Sequence, residues 1–142
     1  MIHLFSNIRW LRLLGVALAI IALSFAILMI VVAGYATALA FQVRGSPDQG
    51  AINHFAAGVS PQVMPWLECI LTFVLSFGVF RRMEELRVIH GLLLGILAGL
   101  AGLVVVLCVR GHLSLRGVAI LILMVALGWL GGICAQKWPA KI

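Results

Sequence analysis

The stretch LLGVALAIIALSFAILMIVVAGYATALAF, from Leu13 to Phe41, decides the fold. It carries no charged side chain, and Ser24, Tyr35 and Thr37 are its polar residues. An α-helix rises 1.5 Å per residue, so about 29 residues reach roughly 43 Å, well beyond the ~30 Å hydrocarbon core of a bilayer. A helix that is apolar all round is either buried in a large protein or surrounded by lipid. The stretch therefore predicts a transmembrane helix that tilts or emerges at one end.

Working outward, three more apolar runs of spanning length follow: Pro61–Phe80, Val88–Val109 and Gly117–Ala135. Together they predict an all-α fold, an integral membrane four-transmembrane-helix bundle forming a single domain over residues 1–142. Composition agrees. Of 142 residues, 64% are hydrophobic and 10% charged, with a mean hydropathy of +1.22, against about half apolar and a quarter charged in soluble domains. One small core could not hide that excess, which excludes a cytosolic enzyme, a disulfide-stapled secreted domain and a disordered tail. Arg9 and Arg12 before an apolar run, with Ala38-Leu39-Ala40 as a cleavage candidate, imitate a signal peptide. The run far exceeds an h-region of about 7–15 residues, so a retained anchor is expected.

Basic residues set the expected orientation. Arg9, Arg12, Arg81, Arg82, Arg87, Lys137 and Lys141 fall on one side of the spans, and Arg44, Arg110 and Arg116 on the other. Lys and Arg accumulate on the cytoplasmic side, so both termini are expected there. Trp10 and Trp138 mark the inner boundary and Trp66 the outer one. The net charge of +6 is read as contact with anionic headgroups, and no basic run with interleaved aromatics points to nucleic acid. The expected partners are membrane lipids and other membrane-protein subunits or further copies of this chain, with no nucleic acid.

The outer connection, Gln42 to Ser60, holds helix punctuation. Ser46-Pro47-Asp48-Gln49 reads as N-cap, proline at the first helical position and glutamine at the third, and Gly58 suits a stop. The expectation is a short interfacial helix over residues 47–57, laying Ile52, Phe55 and Ala56 on the outer leaflet. Ser60-Pro61 then repeats the cap signal and opens the second span. The inner connection, Arg81 to Arg87, reads as a solvated turn with local ion pairs.

Between helices in lipid, small residues that admit close backbone approach are the informative signal. Gly15, Ala19, Ala22, Ala26 and Ala33, continued by Ala36 and Ala40, follow 4/3 spacing and predict a seam facing a nearly antiparallel neighbour. Gly91, Gly95, Gly99 and Gly102 share one face of the third span, and Gly128, Gly131 and Gly132 mark the fourth. These faces suit packing within the chain or between subunits, and spacing does not separate the two.

Glu68 is the single acid within a span, where an unpaired carboxylate is costly. Thr72 and Ser76 follow at i+4 and i+8, giving a polar stripe expected to face protein. Counting equal depth down the first span reaches Tyr35, the expected hydroxyl donor to Glu68, while Arg44 and Arg110 are long enough to reach inward by snorkelling. The stripe is open to three roles: structural satisfaction, contact with a partner or headgroup, or coupling to a proton or cation. Cys69, Cys108 and Cys134 are isolated and read as inert thiols. No metal or cofactor is expected: His90 and His3 share a face, but a terminal histidine does not make a haem pair. No catalytic constellation stands out, and Asp48, Asn53 and His54 form only a sparse polar group at headgroup level.

From Ser76 onward, Gly78, the basic turn, His90-Gly91-Leu92-Leu93-Leu94-Gly95-Ile96-Leu97-Ala98-Gly99 and Gly128-Trp129-Leu130-Gly131-Gly132 together resemble the YrzE-like family of uncharacterised four-helix bacterial membrane proteins. The resemblance covers the C-terminal half and implies four spans in a bacterial inner membrane; it carries over no activity or site residue. The outer connection here is longer than that family's usual one. The expected function is that of a small non-enzymatic membrane protein, an accessory or assembly subunit packing through its Gly/Ala faces. The alternative is an oligomeric transporter or channel for a small solute or ion that uses Glu68.

Overall fold

A computed structural model describes residues 10–83, 86–110 and 115–138. His3, Arg9, Glu84, Glu85, His112 and Lys141 lie outside them. The described chain is all-α, with four helices: α1 (Trp10–Val43), α2 (Gln49–Phe80), α3 (Arg87–Arg110) and α4 (Leu115–Lys137). Each is long and apolar enough to cross a membrane.

The expected separate helix over residues 47–57 does not form: α2 runs unbroken from Gln49 through Pro61 and Pro65 to Phe80. The cap signal at Ser60-Pro61 misleads because the backbone of a proline is already helical in φ; the ring removes one N–H but does not force a break when neighbouring turns continue. The N-cap is Asp48, not Ser46. Its carboxylate accepts from the Gly50 N–H at 2.9 Å, and Gln49 donates to Asn53 Oδ1 at 3.2 Å. Arg44, with φ of 51°, ends α1 in the left-handed conformation that turns the chain back.

α3 and α4 pair most extensively, α4 also packs on α2, and α1 lies across α2 and α3 without reaching α4. Glycine permits the α3–α4 approach. A Cβ at Gly95 would fall 2.6 Å from the Met124 carbonyl, and one at Gly128 would fall 2.5 Å from the Gly91 carbonyl. One on Gly132 would meet Arg87 O at 2.8 Å, whereas at Gly99 the nearest atom, Leu121 Cγ, is 3.3 Å away. The glycine faces of these two helices are thus used inside the chain.

The small-residue seam of α1 points the other way. Gly15, Ala22, Ala26 and Ala33 are exposed and Ala19 half-buried, with nothing within 4 Å of a Cβ built on Gly15. The inward face is Leu13, Ala17, Ile20, Ser24 and Leu28. The reason is steric: α1 sits in the groove between two helices, where long aliphatic side chains fill the space, and small residues gain nothing unless backbones touch. Ser24 satisfies its hydroxyl within α1, donating to Ile20 O at 2.9 Å.

The core gathers at the α2–α3 turn. Leu13, Ala17, Ile20, Phe80, Met83, Leu94, Met124 and Ala135 belong to one buried cluster. The described part of this turn is not the solvated connection expected. Met83 is buried, and Arg87 donates from Nε to Met83 O and from Nη1 to Ala135 O at 3.2 Å. A guanidinium has five donors, so it can satisfy orphan carbonyls at the end of α4 while closing the turn before α3.

The opposite end is built differently. Ser76 Oγ donates to Gly128 O at 3.0 Å, which fixes these residues at one level. From that level α2 continues for roughly 40 Å to Gln49, whereas α4 continues for only about 20 Å to Leu115. The α1–α2 hairpin therefore projects about 20 Å beyond the end of α4. It is held by Tyr35 stacked on Phe55, with ring centroids 3.9 Å apart and planes at 9°.

Candidate functional site

Three polar residues step along α2 at helical spacing. Ser76 and Thr72 are fully buried; Ser76 bridges to α4, and Thr72 Oγ1 donates to the backbone carbonyl of Glu68 at 2.7 Å. Glu68 is half-buried, and among the described residues its carboxylate has no hydrogen-bond or ion-pair partner. Tyr35 does not supply one. Its ring lies on Phe55, which is about 20 Å up α2 from Glu68. The depth count fails because it begins the second span at Pro61, whereas α2 begins more than three turns earlier.

The Glu68 carboxylate instead lies beside α3 and borders a cavity. A Cβ on Gly102 would be 3.2 Å from Glu68 Oε2, so the absence of a side chain there leaves room for the acid. The cavity, about 500 Å³, takes walls from all four helices, among them Ile21, Pro61, Met64, Val106 and Ile120. It is mostly apolar and partly open. Arg116 is also at its edge. Measured outward from the Ser76–Gly128 level, Glu68 is about 12 Å up α2 and Arg116 about 18 Å up α4. Arg116 is thus about one turn farther out than Glu68, with no ion pair joining them.

Pro61 and Pro65 shape the same wall. Lacking N–H groups, they leave the carbonyls of Ala57 and Pro61 without their i+4 amide donors, and Ala57, Pro61 and Pro65 all line the cavity. Measured from the same level, Pro61 and Ala57 lie about 22 and 28 Å out, beyond Arg116, so these carbonyls belong to the outer part of α2 and Glu68 is the deep polar group.

The remaining candidates are dispersed. Gly91, Gly95, Gly128 and Gly132 serve helix packing, and Gly102 makes room for Glu68. Cys69 is buried, Cys134 half-buried and Cys108 exposed. Among the described residues, no group of three or more His, Cys, Asp or Glu side chains could hold a metal ion. Sequence reasoning weighed His90 only as a haem ligand and did not place it in the core, where its Nδ1 is 2.8 Å from Leu86 O and its ring tilts against Phe80 at 5.7 Å. Its position four residues after Leu86 was the available signal, since a histidine in the first helical turn can reach back to the carbonyl before it. With these features in place, comparison with protein-family models, curated proteins and solved structures finds no match to this chain.

Proposed function

We propose that this chain is a small non-enzymatic integral membrane protein that works as an accessory or assembly subunit, multi-pass in a bacterial inner membrane with both termini cytoplasmic. The observation that carries this reading is the projecting α1–α2 hairpin. α3 and α4 are each close to one bilayer thickness, so a membrane level with them leaves the hairpin about 20 Å beyond the end of α4 and about 12 Å beyond that of α3 on the outer side. That projection remains apolar: Phe41 is 79% exposed and Val43 61%. Contiguous apolar surface outside lipid marks an association site. The orientation rests on the excess of Lys and Arg at the turn end, and the resemblance to the YrzE-like family supports the bacterial setting.

Crosslinking in native membranes, followed by purification in mild detergent, tests the reading. A second subunit or further copies of the chain should be recovered through the hairpin. A monodisperse monomer with no crosslinked partner would count against it.

One observation favours a second reading, a pathway for a small solute or ion: Glu68 borders a cavity among the four helices. Flux in proteoliposomes that Glu68→Gln abolishes would support this reading; flux unchanged by that substitution would remove it.

A further inference from the structure

The cavity beside Glu68 contains a chemical asymmetry that packing does not explain. Its walls are mostly aliphatic, yet beside Gly102 it presents a carboxylate without a partner. Acceptors in apolar surroundings need donors or positive charge, because leaving them unmatched forfeits the hydration they had in water. Arg116 carries positive charge but stands about one turn farther out, outside ion-pair distance.

We propose that this cavity binds a lipophilic ammonium ion, with the Glu68 carboxylate as counter-ion and Met64, Val106 and Ile120 around its apolar body. The charge order disfavours a phospholipid headgroup. A zwitterionic lipid carries its ammonium farther from the hydrocarbon than its phosphate, whereas here the negative site is deeper than the positive one. Arg116 in the same lining also selects against dications, whose second charge would meet the guanidinium. A single ammonium on a compact hydrocarbon fits both constraints, and a volume of about 500 Å³ accommodates it. Gly102 is a positioning residue, since its missing side chain lets the carboxylate lie against α3. The proposal deepens the solute reading by naming a ligand, but binding does not require transport.

The test is isothermal titration calorimetry of the full chain in lipid nanodiscs, with empty nanodiscs as the baseline. The probes are 1-adamantylammonium, the neutral 1-adamantanol and the anionic 1-adamantanecarboxylate, which share one hydrocarbon body. Saturable binding of the ammonium is expected, with the alcohol at least about tenfold weaker and the carboxylate indistinguishable from the baseline. Glu68→Gln should weaken ammonium binding at least about tenfold. Ile120→Trp, which fills the cavity from α4 and leaves the acid in place, should weaken all saturable binding and serves if Glu68→Gln fails to fold. Equal affinity for ammonium and alcohol, full binding to either variant, or no saturable binding by the ammonium would overturn the proposal. Binding with no proteoliposome flux retires the transport pathway and leaves the site standing; flux with no saturable binding retires the site alone.

Discussion

At Gly128, a single added methyl group tests how closely two helices are apposed. Its Cβ would fall 2.5 Å from Gly91 O and 2.9 Å from Gly95 Cα, both backbone atoms that cannot rotate aside. Overpacking of this kind costs about 1–3 kcal/mol. Gly128→Ala should therefore lower the free energy of unfolding by about 2 kcal/mol, measured by SDS titration in mixed micelles. Gly15→Ala is the contrasting case: no atom lies within 4 Å of the new Cβ, so its effect should be no larger than the helix-propensity gain of up to about 1 kcal/mol. Equal losses at the two positions would mean that α1 packs by its glycine face after all. The sequence marks both glycines alike, because spacing reveals that a face is narrow and not what stands opposite it. On α3 and α4 the opposing element is a second glycine-bearing helix, and the narrow faces meet. On α1 it is a groove, which the larger Leu13, Ile20 and Leu28 fill.

At the scale of elements, α2 shows how much a local signal leaves undecided. The apolar run from Pro61 to Phe80 was legible because composition alone makes it a span. The helical character of the preceding segment was legible too, through Ser46-Pro47-Asp48-Gln49 and the Ile52/Phe55/Ala56 face. What local residues did not reveal is that the two join, since Ser60-Pro61 suits a helix start as well as a helix interior. Nor did they reveal that Phe55 turns toward Tyr35 of α1 and not toward lipid. Continuity gives Pro61 a sign that can be measured. In an unbroken helix, Pro61→Ala restores a donor to Ala57 O and relieves the ring's clash with that carbonyl, so stability should rise, by about 1–3 kcal/mol at most. At the first position of a new helix the same change would discard a favourable preset φ and lower stability. Thermal unfolding in detergent, followed by circular dichroism, separates the two. The hairpin clasp makes a companion prediction. Phe55→Ala should destabilise the hairpin by about 1 kcal/mol or more through lost stacking and burial, whereas Tyr35→Phe, which keeps the ring, should change little. A large effect of Tyr35→Phe would point to a role for the hydroxyl instead.

For the whole molecule, the mismatch in helix lengths is the property that individual spans conceal. Taken singly, α1 looks like an overlong span that tilts; alongside α2, and with the Ser76–Gly128 hydrogen bond setting the level, it becomes one arm of a projection. Tilting both arms in a thicker bilayer would hide the projection in lipid, and that arrangement differs from association in a measurable way. Phe41 and Val43 are largely exposed in the free chain, so the double substitution Phe41→Asn with Val43→Asn should leave the bundle folded. If the hairpin stands clear of the membrane and seats on another subunit, two polar side chains at its surface should sharply reduce the partner crosslinked in native membranes, without lowering the amount of protein inserted. If the hairpin lies in hydrocarbon, the same side chains meet lipid and carry a desolvation cost. Insertion and yield should then fall, while the fraction crosslinked per inserted molecule stays as before. The two measurements, membrane-extracted yield and crosslinked fraction, move in opposite patterns, so one pair of asparagines decides whether the outer third of the hairpin is a lipid-facing span or a surface for another protein.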